Sequence, residues 1–408
     1  MSWFGLAELL ILGLLADGLF RRLGVPGLIG MLLVGVALGQ SGLGLLDPRL
    51  LALSGDLRQM ALVVILLRVG FGLNLDTLRQ VGRRVLLLAW IPATCEGVMI
   101  TLAARPLLGL STLEAALLGS VIAAVSPAVV VPLMLRLIEE KRGTGQAIPQ
   151  MVMAAASLDD ILVIVVNGVL LGVLVQQEAA LPAALPAALI RLPAGLALGA
   201  AAGAGLGWLL IRWIARFRPQ ANRQVLLILA LSLLLLRLQE RINGLVPFTG
   251  LVAAIALGVV ILELREDLAQ PIAAKLASIW VFAELVLFTL VGAQLNVAVA
   301  WRSGLAGLAV LALGLLARSL GTLLCLARSD LTAGERLFVT VAYIPKATVQ
   351  AAIGAVPLMT MQAAGLPTDP GEIILAVAVL SIVVTAPLGA WLSAALAPRV
   401  LRLEAYQT

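Results

Sequence analysis

The sequence predicts an all-α polytopic membrane protein with about thirteen transmembrane helices. Of the 408 residues, 62% are hydrophobic and only 12% are charged, and the mean hydropathy is +1.10. Apolar blocks long enough to cross a bilayer recur along the chain, and the segments between them are too short to bury a core of their own. We therefore expect a single transmembrane domain over residues 1–408 and no soluble domain.

Hydropathy sets the predicted spans, with Pro, Gly and charged residues marking their ends. The spans lie at residues 3–20, 25–40, 53–73, 85–104, 113–135, 148–175, 186–211, 223–239, 245–263, 274–293, 303–326, 335–359 and 371–397. The first block is followed, not preceded, by Arg21 and Arg22, so we interpret it as a retained helix rather than a cleaved signal peptide.

Basic residues cluster in the short loops between apolar blocks. The net charge of +6 therefore indicates membrane orientation rather than nucleic-acid binding. With the N-terminus outside, roughly 19 Lys and Arg residues fall in inside loops, against about 7 in outside loops. Because the number of spans is odd, the C-terminus is then cytoplasmic. We expect a multi-pass protein of a cell membrane, and of the inner membrane in a bacterium.

Side chains that commonly hold metals or disulfides are scarce. The two cysteines, Cys95 and Cys325, have no CxxC spacing and are interpreted as small core residues, and the chain has no histidine. We therefore expect no disulfide framework and no cofactor. Proton chemistry has to use carboxylates or lysine.

Two long apolar segments share a polar centre that proline interrupts. The fifth span contains SVIAAVSPAVVVPLM and the twelfth contains VAYIPKATVQAAIGAVPL. The positions correspond if the chain consists of two similar halves, formed by the second to seventh and the eighth to thirteenth spans. Such a pair of interrupted segments indicates a transporter built on repeats, with its site near the bilayer midplane.

Six charged side chains fall deep within predicted spans, where a charge costs at least about 2.5–3.5 kcal/mol. The four acids outnumber the two bases, so bound protons or cations have to neutralise the excess. These residues are Glu96, Asp159, Asp160, Glu284, Arg318 and Lys346.

The adjacent acids Asp159 and Asp160 stand in the apolar stretch AAASLDDILVIVVNG. They point about 100° apart on a helix, so both can border a wide water-filled cavity. Two carboxylates this close titrate as a pair, which suits a site for protons or a hard cation. The alternative is a hydrogen-bonded pair that stabilises packing. Asn167, two turns further on, either lines the same cavity or makes a packing hydrogen bond.

The interrupted fifth helix and the buried bases supply the supporting candidates. Pro127, after Ser126, removes a backbone donor, so freed carbonyls can coordinate a sodium ion; an ordinary proline kink is the alternative. Arg318 can act only as a fixed countercharge, with Glu96 or Asp159 as its partner. We interpret Lys346 as a structural positive charge.

Three motifs in order, AAVSPAVVVP, AAASLDDILVI and YIPKATVQAAIG, closely resemble those of sodium/proton antiporters of the cation/proton antiporter superfamily. The resemblance is strongest to the branch of the B-type sodium/hydrogen exchangers and their bacterial relatives, and it covers nearly the whole chain. It implies an inverted-repeat antiporter fold with two broken, crossing helices. It also implies a homodimer whose protomers have a dimerisation domain and a mobile core, here residues 85–175 and 303–397.

The resemblance also implies roles for single residues. Asp159 and Asp160 match the family's paired aspartates, with Asp160 as the more essential ion-binding carboxylate. Arg318 falls where many relatives carry a lysine, and Glu96 resembles the acid that pairs with such an arginine. Gln294 lies where some members have an acid, which leaves Glu284 as the expected partner of Lys346. Ser126, Pro127 and Lys346 fall on the two helix breaks.

The sequence thus predicts a secondary antiporter, not an enzyme, that exchanges Na⁺ or Li⁺ for H⁺ by alternating access. A K⁺/H⁺ antiporter of the same fold is the alternative, because the same oxygen ligands suit either ion. An intramembrane aspartyl protease would need acids delivered by separate helices and a GxGD arrangement, which is absent. A channel would need a continuous pore.

Overall fold

The structure, a computed structural model, describes residues 2–46, 50, 53–72, 82–175, 181–242 and 248–403. Within these ranges the regular secondary structure is helical, apart from one isolated bridge between Arg142 and Leu403. The helices are α1 Ser2–Arg22, α2 Gly27–Leu38, α3 Ser54–Gly72, α4 Arg83–Leu108, α5 Thr112–Ile122, α6 Pro127–Glu139, α7 Ile148–Val175, α8 Leu181–Phe217, α9 Ala221–Ile242, α10 Gly250–Leu264, α11 Glu266–Ala293, α12 Val297–Leu326, α13 Ala333–Ala342, α14 Thr348–Ile353, α15 Val356–Ala363 and α16 Asp369–Val400.

Each of the thirteen predicted spans coincides with one helix or with one run of short helices, which confirms the all-α polytopic fold. Residue 73 of the third span and residues 245–247 of the ninth lie outside the described ranges. By length and composition, eight helical segments of the described chain suffice to cross a membrane, and two shorter ones are strongly apolar. The fifth span is α5 followed by α6, and the twelfth is α13, α14 and α15 in succession.

Proline restricts the backbone at both interruptions. Pro127 is the first residue of α6, where its missing N–H costs no helical hydrogen bond. The preceding Ser126 is extended, with φ −90° and ψ 110°, because a residue before proline avoids the helical region. The second interruption spans residues 343–347 and contains Pro345. Each predicted interruption is therefore a true gap between two helices.

The described chain divides into two compact units. Unit 1 comprises Met1–Ala52, Thr77–Gln176 and Phe288–Thr408; unit 2 comprises Leu53–Asp76 and Gln177–Leu287. Both residue ranges predicted for the mobile core, 85–175 and 303–397, fall within unit 1. Unit 2 has its own apolar core, which α3, α8, α9, α10 and α11 form.

Glycines bring helices of unit 1 close together where the buried charges lie. A Cβ atom on Gly314 of α12 would stand 2.7 Å from Ile100 Cγ1 of α4, and one on Gly321 would stand 3.1 Å from Pro92 Cα. The absence of side chains at these positions lets the backbones of α12 and α4 approach closely. In unit 2, Gly203 of α8 packs in the same way on the Ala253 carbonyl of α10.

Candidate ion-binding site

The two interruptions lie against each other in unit 1. The Ser126 N–H donates to the Pro345 carbonyl over 2.8 Å, and the Thr348 N–H faces Ser126 Oγ at 3.4 Å. The hydroxyls of Ser126 and Thr348 are also 3.4 Å apart. The two interrupted segments are more than 200 residues apart in sequence, and each supplies the other with hydrogen bonds that its own helix does not provide.

Asp159 is fully buried and uses one of its carboxylate oxygens as a double acceptor. Its Oδ2 accepts from the Val125 N–H at 3.0 Å and from Arg318 Nη2 at 2.5 Å. Val125 belongs to the first interruption, so this aspartate connects α7 to the unwound chain. Its other oxygen, Oδ1, is buried without a hydrogen-bond partner.

Asp160 is also buried but makes no ion pair with the described residues. Its side chain is 3% exposed, and its Oδ1 has no hydrogen-bond partner. It lies within electrostatic reach of Asp159, Arg318 and Lys346 without contacting either base directly. A buried carboxylate in this condition needs a proton or a cation.

Arg318 joins the two acids that the sequence offered as alternative partners. Its Nη1 donates to Glu96 Oε2 at 2.6 Å and also to the Ala123 carbonyl, while its Nη2 holds Asp159. Its guanidinium lies 5.3 Å from the centre of the Tyr343 ring, within the range of a cation–π contact. The planar group therefore fixes α4, α7 and the first interruption relative to one another.

Lys346 pairs with Glu96, so its expected pairing with Glu284 is wrong. The Lys346 Nζ donates to Glu96 Oε2 at 2.6 Å, and both side chains are fully buried. Glu284 belongs to unit 2, where it interacts electrostatically with Arg68. Glu96 Oε2 thus accepts from two cationic groups, and its Oε1 has no partner.

The charges around the interruptions do not balance. Three acids, Glu96, Asp159 and Asp160, meet two bases, Arg318 and Lys346. With their ordinary charges these five groups sum to −1, which one proton or one monovalent cation neutralises. The described residues contain no group of three or more His, Cys, Asp or Glu side chains arranged as a metal site. A cation here would depend on the two aspartates together with neutral oxygen atoms.

The carbonyls freed by the first interruption are already occupied. Arg318 binds that of Ala123, and the Gln350 amide nitrogen faces those of Val121, Ile122 and Ala124 at 2.9–3.3 Å. Sequence reasoning did not single out Gln350 or Thr348, although both lie in the motif YIPKATVQAAIG. A buried polar side chain between two apolar runs was the available signal, because such residues are rare in membrane spans.

Two other candidates lie outside this network. Asn167 donates from Nδ2 to Ser120 Oγ at 2.9 Å, so it makes a packing hydrogen bond between α7 and α5. Gln294 lines a separate polar cavity of about 250 Å³ at the ends of α2, α11 and α15 and the starts of α12 and α16. In that cavity Asn296 donates to Glu372 at 2.8 Å.

A polytopic helical fold with two opposed interruptions, a buried acid pair and fixed countercharges defines a secondary ion transporter. A family model described as the transmembrane sodium/hydrogen exchanger matches residues 7–397. The chain is 33% identical to sodium/hydrogen exchanger 9B2 of Mus musculus over 393 residues, covering 94% of this chain and 70% of that protein. It is also 33% identical to the Homo sapiens exchanger of the same name, covering 94% and 71% of the two chains.

The fold has a solved counterpart. The sodium proton antiporter MjNhaP1 from Methanocaldococcus jannaschii superposes with a TM-score of 0.86 at 22% identity, and the match covers 98% of each chain. The present chain belongs to the sodium/hydrogen exchanger family. It is therefore a transporter and not an enzyme, which sets the protease alternative aside.

Proposed function

We propose that this chain exchanges Na⁺ or Li⁺ for H⁺ and that Asp160, assisted by Asp159, carries both. The observation that carries the proposal is the buried Asp160 carboxylate, which has no ion-pair partner among the described residues, beside an Asp159 oxygen that is also unpartnered. Carboxylate and hydroxyl oxygens suit a hard monovalent cation, and Ser126 and Thr348 supply hydroxyls at the adjacent interruption.

Competition for one carboxylate couples the two fluxes. Asp160 loses its proton and binds the cation on one side, the core moves, and protons displace the cation on the other side. The empty site carries one unbalanced negative charge, and moving that charge through a low-dielectric barrier is costly. Only the loaded forms then cross rapidly, so an ion does not move without its counterpart.

The charge count also favours one cation for one proton. The five groups sum to −1 when empty and to zero when either one Na⁺ or one H⁺ is bound. A second proton would leave the centre at +1 and would again require a charge to cross. Exchange of equal charges therefore avoids the electrostatic cost in both directions.

The remaining proposals concern the setting of the protein. We place the N-terminus outside and the C-terminus in the cytoplasm, because basic residues crowd the loops that this orientation puts inside. The cell membrane, in a bacterium the inner membrane, is the proposed location. Residues 85–175 and 303–397, which fall within unit 1, are the proposed mobile core, and the remainder of the chain is the proposed dimerisation domain of a homodimer.

The test is cation-induced collapse of a preset pH gradient in proteoliposomes. Sodium, lithium and potassium are compared for the native protein, for Asp160→Asn and for Asp267→Asn, a matched change at an exposed aspartate. Collapse by Na⁺ or Li⁺ that only Asp160→Asn abolishes supports the proposal. Collapse by K⁺ alone would establish the potassium alternative, and an unimpaired Asp160→Asn protein would refute the assigned site.

A further inference from the structure

Gln350 lies at the point where the two interruptions meet. It is the third residue of the six-residue helix α14, and its side chain is fully buried. Its Nε2 lies 2.9 Å from the Ala124 carbonyl, 3.2 Å from that of Ile122 and 3.3 Å from that of Val121. One side chain of the second broken segment therefore serves three carbonyls of the first.

The other end of the amide is equally occupied. Gln350 Oε1 accepts from the Ala347 N–H at 2.8 Å, so the side chain folds back onto the second interruption. Donors and acceptor thus face opposite segments, and neither half of the amide is free to rotate away. Since a primary amide has two N–H groups, the three carbonyls share them.

The need for such a group follows from the membrane environment. Carbonyls near the end of α5 lose their helical donors because the chain is interrupted after Ile122. Inside a bilayer an unpaired carbonyl is expensive, and water is not available to replace the missing donor. The Gln350 amide supplies donors while adding no charge to a centre whose charges are already unbalanced.

The position of the unwound chain in turn determines how Asp159 is held. Gln350 fixes the carbonyls of Val121, Ile122 and Ala124, and the next residue is Val125. The Val125 N–H is the backbone donor to Asp159 Oδ2. Displacement of this segment by even 1 Å would break that hydrogen bond, because the donor and acceptor are only 3.0 Å apart.

We propose that Gln350 is a positioning residue for the ion site: it joins the two broken segments into one unit and holds the backbone that presents Asp159. This inference rests on the ion site proposed above and adds a residue that acts on it indirectly. Loss of the amide should weaken cation binding rather than abolish the movement of the core. The apparent KM for Na⁺ should then change much more than Vmax.

The test compares Gln350→Met with the native protein and with Asn167→Leu. Methionine keeps the length of the side chain but has no donor, whereas Asn167→Leu removes a buried amide whose hydrogen bond among the described residues is to Ser120. Both variants should lower the thermal stability of the purified protein. Only Gln350→Met should raise the apparent KM for Na⁺, by about tenfold, the equivalent of one buried hydrogen bond, with Vmax within about twofold. It should also reduce the rise in Tm that Na⁺ produces.

An apparent KM for Gln350→Met no higher than that for Asn167→Leu would overturn the proposal. If the methionine variant yields no folded protein, Gln350→Asn replaces it, because the shorter amide cannot reach all three carbonyls. An unchanged KM for Na⁺ in Gln350→Asn would also overturn the proposal. Sodium-driven exchange by the native protein, measured in the same preparation, tests the proposed function separately, so the two failures are distinguishable.

Discussion

Replacement of Arg318 by methionine should make the stability of the protein depend strongly on sodium. Methionine retains much of the side-chain volume but removes a group that contacts Glu96, Asp159 and the Ala123 carbonyl together. Glu96 keeps Lys346 as a partner, whereas Asp159 keeps, among the described residues, its backbone donor alone. The charge of the centre falls from −1 to −2.

The magnitude follows from the geometry. Arg318 Nη2 and Asp159 Oδ2 are 2.5 Å apart, which corresponds to an attraction of about 7 kcal/mol at an effective dielectric constant of about 20. Part of this attraction offsets the cost of removing both charges from water. Removal of one partner of a buried ion pair lowers the free energy of unfolding by about 3–5 kcal/mol. Bound sodium should restore part of it, about 2.7 kcal/mol at one hundred times the dissociation constant.

The assay is thermal unfolding in detergent, with choline or sodium as the cation, for the native protein, Arg318→Met and the exposed control Arg265→Met. The Arg318 variant should melt several degrees lower in choline and recover more of its Tm in sodium than the native protein does. Its exchange activity should be lost, because one cation no longer neutralises the centre. A Tm in choline equal to that of the native protein would refute the reasoning, as would a sodium response no larger than native.

Three further predictions address packing, capping and stoichiometry. Gly389→Ala should reduce exchange and lower the free energy of unfolding by about 1–3 kcal/mol, because its Cβ would lie 2.5 Å from Pro345 Cγ. Gly205→Ala is the control, because a Cβ at that position would meet open space. Equal exchange activity of the two variants would contradict this prediction. Ser111→Ala should lower the free energy of unfolding by about 1 kcal/mol, since it removes the capping box with Glu114. The KM for Na⁺ should stay unchanged. A changed KM would contradict the purely structural role of this helix cap. Exchange should proceed at the same rate with or without an imposed membrane potential; a rate that follows the potential would exclude equal-charge exchange.

Hydropathy and proline positions were sufficient to predict the helical layout. A span of about 20 apolar residues has few alternatives in a bilayer, so the thirteen predicted spans match the observed helices. Pro127 and Pro345 marked both interruptions because proline cannot donate the backbone hydrogen bond. The deep charges were also recognisable, since few residues within spans are ionisable. These features are local or compositional, and each can be identified from a short window of sequence.

Partner choice could not be predicted from the same information. Depth in the membrane is readable from hydropathy, but the direction in which a side chain points depends on packing between distant helices. Glu284 was therefore the expected partner of Lys346, and only the folded arrangement of unit 1 shows that Glu96 takes this place. Gln350 was overlooked for a different reason: a search for buried charges does not detect a neutral amide, although its hydrogen bonds are just as necessary.

The distribution of unsatisfied atoms suits the proposed use of one site by both a cation and a proton. The carbonyls released by the first interruption are held by Gln350 and Arg318, and so they are not free to form a cage around an ion. The oxygens left without partners in the described part of the centre are the Tyr343 hydroxyl and three carboxylate oxygens, which are Oε1 of Glu96 and Oδ1 of Asp159 and of Asp160. A cage of carbonyls would bind a cation but would not take up a proton at neutral pH. Carboxylate oxygens bind either, and because the same atoms are required, occupation by one excludes the other.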